Sequence, residues 1–439
     1  MRQVYLEDAE GEVMREEEIY RQKVLLVGVD TGEEEDFDRS MEELRNLAEA
    51  CEMQVVGIIT QRMETVNKAL YIGTGKVKEV KEFAHNIEAE IVCFDNALSP
   101  SQMRNLGDEL ELPIIDRTNL ILDIFATRAQ TREAKLQVET ARLQYLLPRL
   151  VGMRESLGRQ GGASGSMSNK GAGEKKLELD RRKIEHRISE LRKELEEVAR
   201  ERSTQRKRRT ASRIPQVALV GYTNAGKSTV MNQMVERYGA DPEKKVLQKD
   251  MLFATLETSI RMIDTGENKP FLLADTVGFI HKLPHGLVKA FQSTLEEVKY
   301  ADLLVQVIDF SDDHYKQQME VTAQTLKELE AFDIPMIYVY NKADLKGMDN
   351  LPRCREQQIY TCAIDGVGME ELAHMILEKV YAGQVECEFL IPYEKGNVVS
   401  YLCSNATVLA QDYREDGVYM KVACHRQDAE KYKMFSAKE

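Results

Sequence analysis

The period of apolar residues changes several times along this chain, and each change marks a different kind of structure. Between residues 23 and 115, short apolar runs alternate with helical spacing. Strands are predicted at 23–29, 54–59, 91–94 and 113–115, and helices at 38–51, 75–86 and 99–110. Ser99-Pro100 reads as a helix start, a capping hydroxyl followed by proline in the first turn. Such alternation predicts an α/β unit on a parallel sheet. From Arg117 the spacing becomes purely helical. Residues 117–150 read as one long helix with Leu136, Leu143, Leu147 and Leu150 on one face, ended by Pro148. A second long helix is predicted from Leu177. Its apolar positions Leu177, Ile184, Ile188, Leu191, Leu195 and Val198 keep heptad spacing, which predicts an antiparallel coiled hairpin.

The stretch between the two helices, 152–173, is rich in glycine with Arg and Lys, and too poor in apolar residues to fold alone. It reads as a loop at the tip of the hairpin, either a probe for a phosphate backbone or a solvated linker. Strand and helix alternate again over 214–384. Residues 385–439 read as a small α+β unit. It comprises a strand at 388–392, a helix at 396–403, a hairpin of 407–411 with 418–423 turning at Glu415-Asp-Gly417, and a terminal helix at 428–435. Residues 1–20 are acidic and predict no fixed element. The expected partition is therefore 1–116, 117–213, 214–384 and 385–439.

The third of these segments carries the candidate chemistry. An apolar, β-branched run, 216–220, leads into Gly221-Tyr222-Thr223-Asn224-Ala225-Gly226-Lys227-Ser228, and helical spacing follows from Thr229. Strand, glycine loop and helix form a phosphate cradle, because backbone N–H groups and a helix N-terminus converge on one point. Lys227 is expected at the β- and γ-phosphates and Ser228 at Mg²⁺. Asp275-Thr276-Val277-Gly278 follows a second apolar run. Its carboxylate suits Mg²⁺ and its glycine N–H suits the γ-phosphate. Asn341-Lys342-Ala343-Asp344 follows a third run. Asp344 can accept from guanine N1–H and the exocyclic amine, which adenine cannot supply, so GTP is expected over ATP. Asn341 is expected to buttress the loop and Lys342 to stack on the base.

Further contacts are expected from Cys362, Ala363 and Ile364, with the Ala363 N–H closing over guanine. Phe253-Ala254-Thr255-Leu256-Glu257 forms a switch segment, in which Thr255 completes the Mg²⁺ shell. The candidate catalytic set is Lys227, Thr255, Gly278 and Asn224. Asn224 is either a turn former or the ligand of a monovalent cation such as K⁺. Phe279 stands where many GTPases carry a water-positioning glutamine, so intrinsic hydrolysis of GTP to GDP and phosphate should be slow. The fold expected is α/β, with an N-terminal α/β domain, a long antiparallel helical hairpin, a P-loop GTPase domain on a mixed doubly wound sheet, and a small C-terminal α+β domain. Gly73-Thr-Gly-Lys76 is either a second phosphate site or a turn opening the next helix.

Composition narrows the picture. The seven cysteines are scattered with no CxxC pair, as expected of a reduced, cytoplasmic protein without a zinc site or disulfide frame. No apolar run is long enough to span a membrane, and no secretory signal is read at the N-terminus. The net charge of −14 argues against a general polyanion binder. Residues 174–213 nonetheless hold 15 Lys+Arg against 9 Asp+Glu, a local excess of six positive charges, densest at Arg206-Lys-Arg-Arg209. That asymmetry points to nucleic acid at this face.

Several segments resemble the HflX family of translation-associated GTPases. They are Asp116-Arg-Thr-Asn-Leu-Ile-Leu-Asp-Ile-Phe-Ala126, Glu133-Ala-Lys-Leu-Gln-Val138, Leu147-Pro-Arg-Leu150, 221–229, 252–256 and 275–280, with Gly73-Thr-Gly-Lys76 and Phe94-Asp-Asn-Ala-Leu-Ser-Pro100 in the N-terminal unit. The resemblance implies a GTPase, using Mg²⁺, that binds the large ribosomal subunit and its rRNA; the chain is expected to be a monomer. Its GTP-bound form would split or rescue stalled ribosomes under stress. One departure stands out: the family's Arg-Gly-Pro-Gly-Glu pattern is replaced near Lys170-Gly-Ala-Gly-Glu174, with Ala172 at the proline position. A GTPase paralogue acting in ribosome assembly or tRNA modification, and a nucleotide-gated scaffold, are the alternative readings.

Overall fold

The structure, a computed structural model, describes residues 5–7, 13–15, 21–32, 36–159, 167–211, 214–239, 253, 258–266, 269–282 and 297–437. The chain separates into two compact units. One is Met1–Thr127 with Val138–Leu191, and the other is Arg128–Gln137 with Arg192–Glu439.

In the first unit, β1 (Tyr5–Glu7) and β2 (Val13–Arg15) pair antiparallel, so the acidic start is not without structure as expected. A four-stranded sheet follows from β3 (Lys23–Asp30), β4 (Gln54–Arg62), β5 (Ile91–Phe94) and β6 (Ile114–Asp116), in the order β4-β3-β5-β6 with every pair parallel. Its central strands are continuous apolar runs because helices cover parallel sheets on both faces. Val24, Leu25, Leu26 and Val27 are all buried. The covering helices are α1 (Phe37–Ala50), α2 (Thr74–Asn86) and α3 (Pro100–Leu110). Ser99 caps α3 through a reciprocal capping box with Gln102, as the Ser-Pro pair predicts.

The long helix expected over 117–150 is two helices, α4 (Arg117–Arg128) and α5 (Arg132–Arg159). The Thr131 hydroxyl accepts from Ala134 N at 3.2 Å and starts α5 afresh, a local cap that outweighs continued helical spacing. Pro148 does not end α5 but lies inside it. Proline costs about 3 kcal/mol in a helix interior, which the long flanking helix absorbs.

The loop expected over 152–173 is likewise shorter. Helix α5 continues to Arg159 and α6 runs from Met167 to Ala211, leaving only 160–166 between them, outside the described residues. Propagating a formed helix through Gly171 and Gly173 costs only about 1 kcal/mol each, so the glycines do not end α6. From Ile184 to Val198 the heptad positions hold, and the Leu177 side chain lies outside the described residues. Ile188 and Leu191 are buried, Ile184, Leu195 and Val198 are half-buried, and the intervening Arg182, Lys183 and Glu185 are exposed. Antiparallel register follows from Arg187, bidentate on Glu139 at 2.8 and 3.1 Å in the first unit, and from Arg132 with Glu194 at 3.3 Å in the second.

The second unit carries a seven-stranded sheet. Its strands are β7 (Gln216–Val220), β8 (Ser259–Ile263), β9 (Phe271–Asp275), β10 (Leu303–Asp309), β11 (Met336–Asn341), β12 (Arg353–Arg355) and β13 (Gln358–Tyr360), in the order β12-β13-β11-β10-β7-β9-β8. The five inner strands are parallel and the two edges antiparallel, the mixed sheet expected. Helix α7 (Lys227–Tyr238) starts two residues before its predicted bound. A separate three-stranded antiparallel sheet follows, β14 (Gln384–Ile391), β15 (Thr407–Arg414) and β16 (Gly417–His425), ordered β14-β16-β15, with a helix at Arg426–Lys431 after it. Phe389, Ile391, Leu402, Met420 and Val422 form its separate core.

Candidate functional site

The candidate residues gather at the carboxyl ends of β7, β9, β10 and β11. Parallel registry aligns these ends, pairing Leu219 with Asp275 and Asp309 with Asn341. In open α/β sheets this edge is where ligands bind. The loop 221–226 leaves β7 and α7 begins at Lys227, so the amides of the first turn point into the same space.

Gly226 has φ +98°, and a Cβ there would lie 2.2 Å from Asn341 Nδ2, so only glycine fits. Asn341 is buried and joins two loops. Its Nδ2 donates to Ala225 O at 3.0 Å, and its Oδ1 accepts from Ala363 N at 2.9 Å. The Ala363 N–H, expected over guanine, is thus engaged by Asn341. The Lys342 ammonium pairs with Asp309 Oδ2 at 2.7 Å. Asp344 and Ile364 are exposed, and the buried Cys362 thiol donates to Asp365 Oδ2 at 3.2 Å. Burial, together with the bond to Asp365, pushes the Cys362 thiol up to about 12.

The Lys227 ammonium is buried and donates to Gly221 O at 3.1 Å and Tyr222 O at 2.7 Å. Burial lowers its pKa to about 8, partly opposed by Asp275. The Ser228 hydroxyl donates to Asp275 Oδ2 at 2.7 Å. A hydroxyl and a carboxylate so placed are hard oxygen donors, fitted to Mg²⁺ with its preference for oxygen and retained water. Among the described residues no cluster of three His, Cys, Asp or Glu offers another metal site. Thr276 donates to Leu219 O at 2.6 Å and Val277 is buried, so both secure the strand end. Phe253 is buried, whereas Ala254, Thr255, Leu256 and Glu257 lie outside the described residues.

Gly278 lies directly on the loop. A Cβ there would come 2.8 Å from Thr223 Cα and 2.9 Å from Lys227 Nζ. The next residues are zipped to the loop by backbone bonds, Phe279 N to Gly221 O at 3.1 Å and Thr223 N to Phe279 O at 2.8 Å. The Tyr222 hydroxyl accepts from His281 N at 2.8 Å. Asn224 is exposed with φ +61°.

Sequence reading missed Asp309, the Tyr222–His281 bond and this zipper. Asp309 had a signal, a carboxylate ending the largely apolar run 303–308, which only Gln306 interrupts. The zipper had none, because backbone pairing leaves no trace in side-chain identity. At Gly73-Thr-Gly-Lys76 the Gly73 N–H donates to Gln61 Oε1 at 3.0 Å and Lys76 pairs with Glu79 at 2.8 Å. Both groups are satisfied within the fold, which favours the turn that opens α2. The family-resembling Asp116-Arg117 pair sits in buried networks. Arg117 bonds Asp95 and Glu43, each at 2.7 Å, and Asp116 accepts from Tyr145 OH at 2.8 Å and Leu98 N at 3.0 Å.

Residues 38–126 match the family described as GTP-binding GTPase N-terminal, 128–209 that of the GTP-binding GTPase Middle Region, and 216–342 that of the 50S ribosome-binding GTPase. The chain is similar to the GTPase HflX of Caldanaerobacter subterraneus subsp. tengcongensis, 43% identical over 411 residues, spanning 94% of this chain and 93% of that one. It is also similar to the GTPase HflX of Escherichia coli, 36% identical over 401 residues, spanning 90% and 92%. Among solved structures, a GTP-binding protein from Sulfolobus solfataricus in complex with GDP is 24% identical, with 82% and 99% of the chains covered and a TM-score of 0.41. Among the described residues no helix is long and apolar enough to cross a membrane.

Proposed function

Because this chain belongs to the HflX family of GTPases, and so binds and hydrolyses GTP, we propose that its nucleotide state controls attachment to the large ribosomal subunit, where the GTP-bound form separates or rescues stalled ribosomes. The observation that carries the reading is the meeting of Gly278, Thr223 and the Lys227 ammonium at one point. A terminal phosphate taken up by the Lys227 ammonium would have to displace this packed contact, and so would be felt by the segment that follows Asp275, whereas GDP lacks that phosphate. Order in that segment then reports the γ-phosphate. The match of 216–342 to a 50S ribosome-binding GTPase and the basic run 206–209 support the ribosomal partner.

In this reading Ser228 and Asp275 would hold Mg²⁺, which would supply charge neutralisation for phosphoryl transfer. Asp344 would read guanine, and the Asn224 side-chain oxygen would hold K⁺. Hydrolysis is then faster in K⁺ than in Na⁺ at equal ionic strength; equal rates remove the cation. The main test is cosedimentation of the full chain with purified large subunits. Retention is expected with a non-hydrolysable GTP analogue and release with GDP. Equal retention in both would defeat nucleotide control.

A further inference from the structure

We propose that Asp309 is a positioning residue for the nucleotide base: its carboxylate anchors the Lys342 ammonium, and so fixes the Lys342 stem as the surface against which guanine lies. The proposal rests on the reading that Asp344 takes the guanine edge.

The anchor is itself held in place. Asp309 ends β10, and parallel register sets it beside Asn341, the last residue of β11. The two strand ends are stitched together there, since Phe310 N donates to Asn341 O at 2.9 Å. Each carboxylate oxygen of Asp309 has its own partner. Oδ1 accepts from Ser311 N at 3.0 Å and from the Ser311 hydroxyl, which sets the direction of the carboxylate. Oδ2 accepts from the Lys342 ammonium at 2.7 Å. The Lys342 and Asp309 side chains are only 28% and 17% exposed, so water and salt screen this pair less than one on an open surface.

The Lys342 backbone is left-handed, φ +59° and ψ +30°, a region that a residue with a β-carbon seldom enters. It opens the short turn Ala343–Lys346, which carries Asp344. Ala343 N donates to Thr361 O at 3.1 Å and ties that turn to the end of β13. The course of the Lys342 side chain follows from the sheet order. Strand β10 lies between β11 and β7, and the phosphate loop leaves β7. An ammonium that starts from the β11 end and reaches the β10 end draws its four-carbon stem along the carboxyl edge, in the direction of the phosphate loop. A nucleotide with its phosphates in that loop and its base at Asp344 has to span the same stretch. The stem is apolar and offers the flat face of a base a surface to lie on. A free lysine would spread over many rotamers, whereas a stem already anchored loses less freedom when the base arrives.

A double-mutant cycle on GDP affinity, with the full chain and Mg²⁺, tests this. Asp309→Asn keeps the shape and one oxygen for Ser311, but gives up the charge that holds the ammonium. Lys342→Met keeps an apolar stem and removes the ammonium. Each single variant is expected to bind GDP about 5- to 30-fold more weakly than wild type. In the Lys342→Met background, Asp309→Asn should cost less than about twofold, because the group it acts through is gone. Wild-type affinity in either single variant overturns the proposal. So does an equal loss from Asp309→Asn in both backgrounds, which is what a purely structural role at the end of β10 gives. Asp344→Ala is measured beside them. If it binds GDP as tightly as wild type, the guanine reading fails at Asp344 itself and the role of Asp309 falls with it. If it loses GDP while Asp309→Asn does not, that reading stands and only the role of Asp309 falls.

Discussion

Lys227 shows how one side chain is tuned by its surroundings. An ammonium has three donors, and two are given to the carbonyls of Gly221 and Tyr222. Burial lowers its pKa to about 8, with Asp275 opposing. Phosphate oxygens at the third donor would favour the charged form and raise the pKa in the complex. With the bound pKa above the free one, the gain is complete below about pH 8. It declines as pH rises from there through the bound value, by up to about tenfold in affinity per unit. Calorimetry of GDP binding between pH 7 and 9.5 should show this decline with proton uptake, and a flat profile would place the ammonium away from the phosphates. Lys227, Ser228 and Asp275 were legible as a spaced motif. Asp309 was not, because its pairing with Lys342 depends on the strand register that sets Asp309 beside Asn341.

Among elements, the β11 end has the widest reach. Asn341 clamps the loop before α7 through Ala225 O and the loop after β13 through Ala363 N. Asn341→Ala would leave a buried carbonyl and a buried amide unbonded, at about 1–3 kcal/mol each. GDP affinity should therefore drop about 10- to 100-fold, with guanine and phosphate contacts weakened together. A titration showing wild-type affinity would mean that the loops hold their shape without the clamp. Helices α5 and α6 teach a different lesson. Heptad spacing was enough to predict their pairing and its buried positions, but not their ends. A single proline or several glycines weigh about 1–3 kcal/mol, which a long helix with a packed face can absorb.

At the scale of the molecule, charge is unevenly spread. A chain of net charge −14 carries a local excess of six positive charges over 174–213. If that segment meets rRNA, sedimentation with large subunits should weaken steeply with salt through counterion release. Changing Arg206, Lys207, Arg208 and Arg209 to Gln should make the slope of log affinity against log salt shallower by about three. An unchanged slope would put the contact elsewhere.

Local order along the chain was sufficient for the alternation of strands and helices, the heptad face and the guanine and phosphate motifs. Each of these is a short-range rule of spacing and side-chain chemistry. Three matters were settled only by tertiary packing. The Ala363 N–H is turned toward Asn341, the Phe279 ring is buried in the core, and Thr223 and Gly278 are pressed together beside Lys227. All three depend on strand ends brought together from distant parts of the chain, and on backbone groups that are the same in every residue. No pattern of side chains could specify them.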